Sequence, residues 1–490
     1  MRRLIISCVA TAISVFIPAA ASAQQPAAPS PAAEQRVREF VALVNSGDRK
    51  AARAYAEQNL TPAALGRVPA AGRVNTISTL HDETRGVEIH SVSEPKPGQI
   101  EAVLRSQLAG EWWRLNLFLE PQPPHRIERL GMGLLFTPPT GQQSKKLSDE
   151  EVARELDAFL GKVAGADGFS GAVLLAKDGR VIFEKAYGVA NKDFGAPNRT
   201  DTKFNLGSMN KMFTAVAVAQ LAEAGKLSFD DPLAKFLPDF PDKEAAAKIK
   251  IKHLLTHTSG LGSYFSNELF GEGSRARFRT VDDFMELAKG DKLAFEPGTK
   301  WQYSNTGFLV LGKVIEQVTG QSYFNYVRER IYKPAGMVNS GSYDLDLVNS
   351  NLAVGYQKEY TDEGVRFRNN IFMHVIRGGP AGGGYSTVGD LLRFAAALRS
   401  GKLLSDASVK TLLTPKPELN SPNYGYGFGV GQAPAVAGHS GGFPGISANL
   451  AMFLDSGYTG VVLSNYGSAA DRAVVKIQQL LTADEKPRAN

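Results

Sequence analysis

Residues 137–147, which carry Pro138-Pro139 and Gly141, divide the chain into two stretches whose apolar patterns call for separate cores. At 490 residues the chain is also too long for one core to organise. In the shorter stretch Val37, Phe40, Val41 and Val44 recur at helical spacing until Asn45-Ser46-Gly47-Asp48 stops them, and a second short helix is expected around 50–57. From about Gly86 the period changes from helix to strand. Four runs, near 86–93, 99–108, 111–120 and 126–135, are parted by turn residues such as Pro95-Lys96-Pro97-Gly98. In the third run Leu115, Leu117 and Leu119 alternate with Arg114, Asn116 and Glu120, which gives one buried and one wet face. The pattern predicts a small α+β domain over 35–136.

The longer stretch opens on a capping box, Ser148 with Glu151, ahead of Val152, Leu156, Phe159, Leu160 and Val163 on one helix face. Two strands, 171–177 and 180–187, flank Asp178-Gly179, a two-residue hairpin signal. At the far end 449–454 and 460–465 read as strands before a closing helix over 470–481. Elements from both ends are therefore expected to meet in one antiparallel sheet covered by helices, a domain over 148–482 with 483–490 as a tail. No internal repeat recurs at a fixed period.

Arg2 and Arg3 precede an apolar run from Leu4 to Ala20 and then Ala21-Ser22-Ala23, the pattern of a secretory signal peptide over 1–23 cut after Ala23. A permanent anchor calls for a longer run without a cleavage pattern, so the mature chain is expected to be periplasmic or secreted with no membrane span. Residues 24–34, rich in Pro and Ala, read as a flexible tether. Cys8 is the only cysteine and falls inside the signal segment, too early in the run for a lipoprotein site. The mature chain then has neither a disulfide nor a thiolate metal site. The formal charge is +6, from 55 basic and 49 acidic residues, and loss of Arg2 and Arg3 leaves +4. No basic run or stripe accompanies it, which excludes nucleic acid as a partner.

Three segments carry chemistry. Phe204-Asn205-Leu206-Gly207-Ser208-Met209-Asn210-Lys211 leads into an apolar, alanine-rich helix that ends before Gly225. A serine in the first helical turn with a lysine three residues later places hydroxyl and amine on one face, within hydrogen-bond reach. Partly buried, that lysine loses some preference for its charged form and can take the serine proton. Taken alone, the same pattern also describes a helix cap followed by a solvated lysine. In Trp301-Gln302-Tyr303-Ser304-Asn305, after the turn Glu296-Pro297-Gly298-Thr299, Tyr303 and Asn305 can both point into a cleft from one loop. Tyr303 would carry a proton and Asn305 would offer its amide to a substrate carbonyl; a core tyrosine with a capping asparagine is the plainer alternative. His439-Ser440-Gly441-Gly442 precedes Phe443-Pro444-Gly445 in strand-rich sequence, where small residues let a substrate approach the backbone.

In order and spacing these three segments resemble the motifs of the class C β-lactamase-like serine hydrolases, a superfamily that takes in penicillin-binding proteins, D,D-peptidases, D-aminopeptidases and family VIII carboxylesterases. Leu254-Leu255-Thr256-His257-Thr258-Ser259-Gly260-Leu261, Pro297-Gly298 and Gly382-Gly383-Gly384-Tyr385-Ser386-Thr387 look like the family too, and the resemblance spans about 165–482. It implies an α+β fold, an antiparallel sheet flanked by helices, with a mostly helical insertion between the first two motifs and the third. It also implies Ser208 as nucleophile with Lys211 and Tyr303 as proton-transfer partners. Asn305 then serves the acyl side and His439 the leaving-group side, with Ser440, Gly441 and Gly442 as the substrate-binding strand and the Ser208 and Gly442 amides as oxyanion donors. No metal or organic cofactor is implied, and the partner is a small ester, amide or peptide. One departure bears on substrate: class C β-lactamases head the third motif with lysine, whereas His439 is mostly neutral at pH 7. Small esters or D-amino-acid amides are therefore expected ahead of β-lactams and cell-wall peptides. Residues 35–136 resemble the cone-shaped nuclear-transport-factor-like or SnoaL-like domains.

Gly438-His439-Ser440-Gly441-Gly442 also satisfies the Gly-x-Ser-x-Gly pattern, with Ser440 as nucleophile. That arrangement needs a helix directly after the serine and a histidine downstream; Pro444-Gly445 follow, and no histidine comes after His439. His253 and His257, four residues apart on an expected helix, could be a metal pair, but no zincin pattern accompanies them. His81, His90, His125 and His374 have no second ligand at a recognisable spacing. Among Tyr264, Phe265, Phe270, Tyr424, Tyr426 and Phe443, one or two are expected to line an acyl pocket and the others to pack. A non-enzymatic alternative, a cell-wall sensor that keeps the fold, has the joint presence of Ser208, Lys211 and Tyr303 against it.

Overall fold

The computed structural model describes residues 29–139, 146–373, 375–432 and 435–482. The expected signal peptide, residues 24–28 of the tether, 140–145 of the linker, His374 and the 483–490 tail lie outside the described residues. Two compact units result. One holds the described residues of Ile17–Phe169 with Lys358–Arg368 and 472–482, and the other holds Ser170–Gln357 and Asn369–Asp471.

In the first unit four helices, α1 (Pro31–Ser46), α2 (Arg49–Asn59), α3 (Pro62–Arg67) and α4 (Ala70–Thr84), precede an antiparallel meander of β1 (Val87–Lys96), β2 (Gln99–Ser106), β3 (Trp112–Leu119) and β4 (Ile127–Leu134). α1 starts inside the expected tether. Ser30 accepts a hydrogen bond from Ala33 N, and Pro31 fills the first helical position, where its missing N–H has no partner to lose. α3 and α4 go beyond the sequence-based expectation, because α4 is largely polar and starts at Pro69 without a side-chain cap. Leu115, Leu117 and Leu119 of β3 are buried, as their alternation requires. α5 (Asp149–Gly165), capped by Ser148 and Glu151 as expected, groups with this unit, and so does most of the closing helix Ala469–Leu481. A buried Glu111–Arg472 ion pair ties that helix to the start of β3, with Arg472 Nε 2.6 Å from Glu111 Oε1.

The second unit is built on a six-stranded antiparallel sheet of β5 (Gly171–Lys177), β6 (Arg180–Tyr187), β7 (Gly429–Gln432), β8 (Ala435–Phe443), β9 (Ile446–Phe453) and β10 (Tyr458–Ser464), in the order β7-β8-β9-β10-β5-β6. Asp178 and Gly179 adopt φ 48° and 81°, the left-handed pair that a tight hairpin needs. β5 pairs with both β6 and β10, Val173 opposite Val462, so strands from the two ends of the unit share one sheet. The fold is α+β, an antiparallel sheet flanked by helices, as the resemblance implied. Helix α6 (Asn210–Glu223) is buried almost all round and packs on α7 (Asn305–Thr319), while α8 (Val388–Arg399) covers β5 and β10. Ser208 sits in the single turn Gly207–Met209 that opens α6, and this turn lies against β8.

Candidate active site

Gly207, at φ 50°, lets the chain turn sharply before the serine, and a Cβ there would stand 3.0 Å from Gly442 N. Lys211, one turn on, is wholly buried, and its Nζ has three neighbours: Ala381 O at 2.6 Å, Asn305 Oδ1 at 2.8 Å and Ser208 Oγ at 3.2 Å. Burial holds its pKa well below the ordinary lysine value. A neutral amine has two N–H groups and one lone pair. The carbonyl and the carboxamide oxygen can only accept, so they take the two N–H groups. In that neutral form the lone pair is left for the serine hydroxyl, 3.2 Å away.

Ser304 is the N-cap of α7, its Oγ accepting from Gly307 N at 2.8 Å, so the cap is Ser304 rather than Asn305. Asn305 is thereby free to hold Lys211 through Oδ1 and Ser263 Oγ through Nδ2, 3.0 Å away. Tyr303 precedes them, half-buried, with the Ser208 side chain near enough to act on its phenol and its ring centroid 4.8 Å from Lys211 Nζ. Burial pushes the Tyr303 pKa up and the Ser208 side chain offsets only part of that, so the phenol keeps its proton.

In β8 the third motif presses its backbone on the Ser208 turn: a Cβ on Gly441 would meet Leu206 O at 1.9 Å. His439 is 9% exposed, and both its ring nitrogens are engaged inside the protein. Nδ1 is 2.5 Å from Ser440 O, a carbonyl that can only accept, so Nδ1 carries the proton and Nε2 accepts from Tyr424 Oη at 2.8 Å. Burial first, and Lys211 second, push its pKa down to about 3, which leaves a neutral ring. Ser440 lies in mid-strand with β8 continuing through Phe443, so no helix follows it as the α/β-hydrolase reading requires.

All eight expected site residues fall in the second unit, and contacts link Ser208, Lys211, Tyr303 and Asn305 directly. Phe265 stacks on Phe443 with centroids 5.8 Å apart, from a segment whose Ser263 touches Asn305. Tyr264, Phe270, Tyr424 and Tyr426 are buried. His253 and His257 do not share a helix face, since the helix Ile251–Leu255 stops between them and each accepts a backbone N–H at Nδ1, from Lys250 and Ser304 respectively. His81 and His125 face backbone carbonyls, and His90 packs against Trp112. Sequence reasoning passed over Ala381, whose carbonyl carries no side-chain signal. It also passes over Ser263, and it offers Tyr424 only as a pocket aromatic and His257 only as half of a metal pair, whereas Tyr424 closes off His439 and His257 holds the Ser304 amide.

The Beta-lactamase family model matches residues 152–484, which contain all three motifs. The chain is 30% identical over 330 residues to an esterase, EstB of Burkholderia gladioli, covering 60% of this chain and 83% of that one. It is similar in structure to a penicillin binding protein from Bacillus halodurans, with a TM-score of 0.59 and 33% identity over 65% of this chain and 99% of the other. It is also similar to a D-stereospecific amidohydrolase from Streptomyces sp., with a TM-score of 0.54 and 29% identity over 69% and 98%. With the family matched over most of its length and the serine and lysine in contact, the chain belongs to the beta-lactamase family of serine hydrolases.

Proposed function

We propose that the protein is an exported hydrolase that cleaves small uncharged esters or D-amino-acid amides through an acyl-enzyme on Ser208. The reading rests above all on Lys211, a buried amine 3.2 Å from Ser208 Oγ whose two other neighbours, Ala381 O and Asn305 Oδ1, can only accept, so that its neutral form turns a lone pair to the serine. In this reading Lys211 is the primary base: it takes the Ser208 proton as Oγ attacks the carbonyl. The Ser208 and Gly442 amides hold the oxyanion, each contributing about 2.7–4 kcal/mol. Tyr303 passes its proton to the leaving group as the C–X bond breaks and is reprotonated by the Lys211 ammonium, which returns both groups to their starting forms. A water then gives a proton to the same amine as it attacks the acyl-enzyme, and the amine returns that proton to Ser208 Oγ as the acid departs.

Substrate preference follows from His439. A neutral ring with both nitrogens occupied offers a carboxylate neither charge nor a free donor, whereas a charge-assisted bond at this position would be worth about 1.5–3 kcal/mol. An uncharged acyl group needs the oxyanion donors and an apolar wall, and the Phe265–Phe443 stack supplies such a wall. The esterase and D-amidohydrolase relatives support the same substrate class. Arg2, Arg3 and Ala21-Ser22-Ala23 support export. The test is kcat/KM of the purified protein and its Ser208→Ala variant on p-nitrophenyl butyrate, D-alanine p-nitroanilide and nitrocefin. Ser208-dependent turnover with nitrocefin last is expected. Nitrocefin ranking first, or turnover that survives Ser208→Ala, would refute the reading.

A further inference from the structure

His257 is wholly buried at φ 62°, a left-handed backbone that histidine adopts less readily than glycine or asparagine. That conformation sends its carbonyl and its ring to the same segment. The carbonyl accepts from Gln302 N at 2.9 Å, and ring Nδ1 accepts from Ser304 N at 3.1 Å. Between those two bonds stands Tyr303, whose ring lies on the imidazole with centroids 4.3 Å apart and planes at 36°. With Nδ1 accepting, the proton is on Nε2, which has no hydrogen-bond partner among the described residues. An unmade bond in a dry site, together with a disfavoured backbone, marks a residue held for its contacts.

We propose that His257 is a positioning residue that fixes Tyr303 and Asn305 on either side of Ser304, an inference that rests on the serine-hydrolase reading above. The acceptor at Nδ1 pins the N-cap of α7, and from that cap Asn305 reaches Lys211 while Tyr303 reaches Ser208. His257 touches neither the nucleophile nor its base directly.

The test is the rate at which a fluorophosphonate probe labels Ser208 in the full chain, followed across pH for His257→Phe and His257→Asn. Phenylalanine keeps a ring against Tyr303 but removes the acceptor. Its maximal labelling rate is expected to fall by about 30- to 100-fold, with the half-saturating probe concentration within about threefold. Lys211 faces Ser208, Tyr303, Asn305 and the neutral rings of His257 and His439; once Tyr303 loosens, water reaches the amine. The rising limb of the pH profile should then move up by about one unit. Asparagine tolerates the left-handed backbone and offers Oδ1 near the place of Nδ1, so its rate should stay within about threefold and its limb should not move. An unmodified rate and profile in His257→Phe, or an asparagine variant slowed tenfold or more, overturns the inference. Should the phenylalanine variant fail to fold by circular dichroism, the asparagine arm decides alone. Labelling that survives Ser208→Ala refutes the serine-hydrolase reading itself, a result distinct from either.

Discussion

Replacing Gly441 with alanine puts a Cβ 1.9 Å from Leu206 O and 3.0 Å from Ser208 N. Both are backbone atoms, so neither swings aside as the end of a side chain would. Gly441 is held opposite Ala448 in the sheet, and Leu206 N is tied to Gly384 O, so the clash falls between two anchored segments. Relief requires the strand and the Ser208 turn to part by at least about 1 Å, and misplacement of that size costs on the order of a hundredfold in rate. Overpacking of this kind also removes about 1–3 kcal/mol of stability. Gly442→Ala is the control: its Cβ would meet nothing within 4 Å, and its backbone amide, the proposed oxyanion donor, is retained. Steady-state kcat/KM on p-nitrophenyl butyrate, with thermal unfolding run in parallel, should show Gly441→Ala down about a hundredfold and Gly442→Ala within about threefold. An unmodified rate and Tm in Gly441→Ala would show that strand and serine turn are not pressed together, and an equal loss in both variants would show that spacing is not the cause.

Lys211→Arg should be as damaging as Lys211→Ala, because a guanidinium stays charged and cannot take the serine proton; a rate near that of the unmodified protein in a single-turnover assay would remove the lysine from the relay. Since burial lowers the Lys211 pKa and the neutral amine is the working form, kcat/KM should climb with pH along a limb below the ordinary lysine value, with no separate limb from His439, whose pKa is pushed down to about 3. Arg472→Met leaves Glu111 buried without its ion-pair partner and should cost about 3–5 kcal/mol in urea unfolding; a loss under about 1 kcal/mol would show that the pair adds little.

Much of this architecture is legible in the sequence because its signals are local. Asp178-Gly179 announces a hairpin, Ser148 with Glu151 announces α5, and the leucine alternation announces β3. α4 is not legible, since it is polar along most of its length and starts without a side-chain cap. At the site, a serine and lysine one helical turn apart forecast their own contact, and the structure brings them to 3.2 Å. What depends on distant chain stays hidden. Nothing local to His439 says that Tyr424 will close off its Nε2, or that Ala381 will lend its carbonyl to a lysine 170 positions away. The grouping of α5 and the closing helix with the N-terminal elements depends on packing in the same way.

The strand order has a bearing on how the protein comes to life on the ribosome. β5, near the start of its unit, cannot complete its pairing until β10 is made, and the two are joined by 280 residues of chain between Lys177 and Tyr458. Ser208 and Lys211 are synthesised early, yet the amide of Gly442 that backs them arrives more than two hundred residues later. Pairings of such long range form slowly, because loop closure must precede any gain from contact. A nascent or truncated chain lacking β8 to β10 therefore holds the Ser208 turn beside an incomplete sheet, and the proposed site is assembled only once the last strand has been inserted.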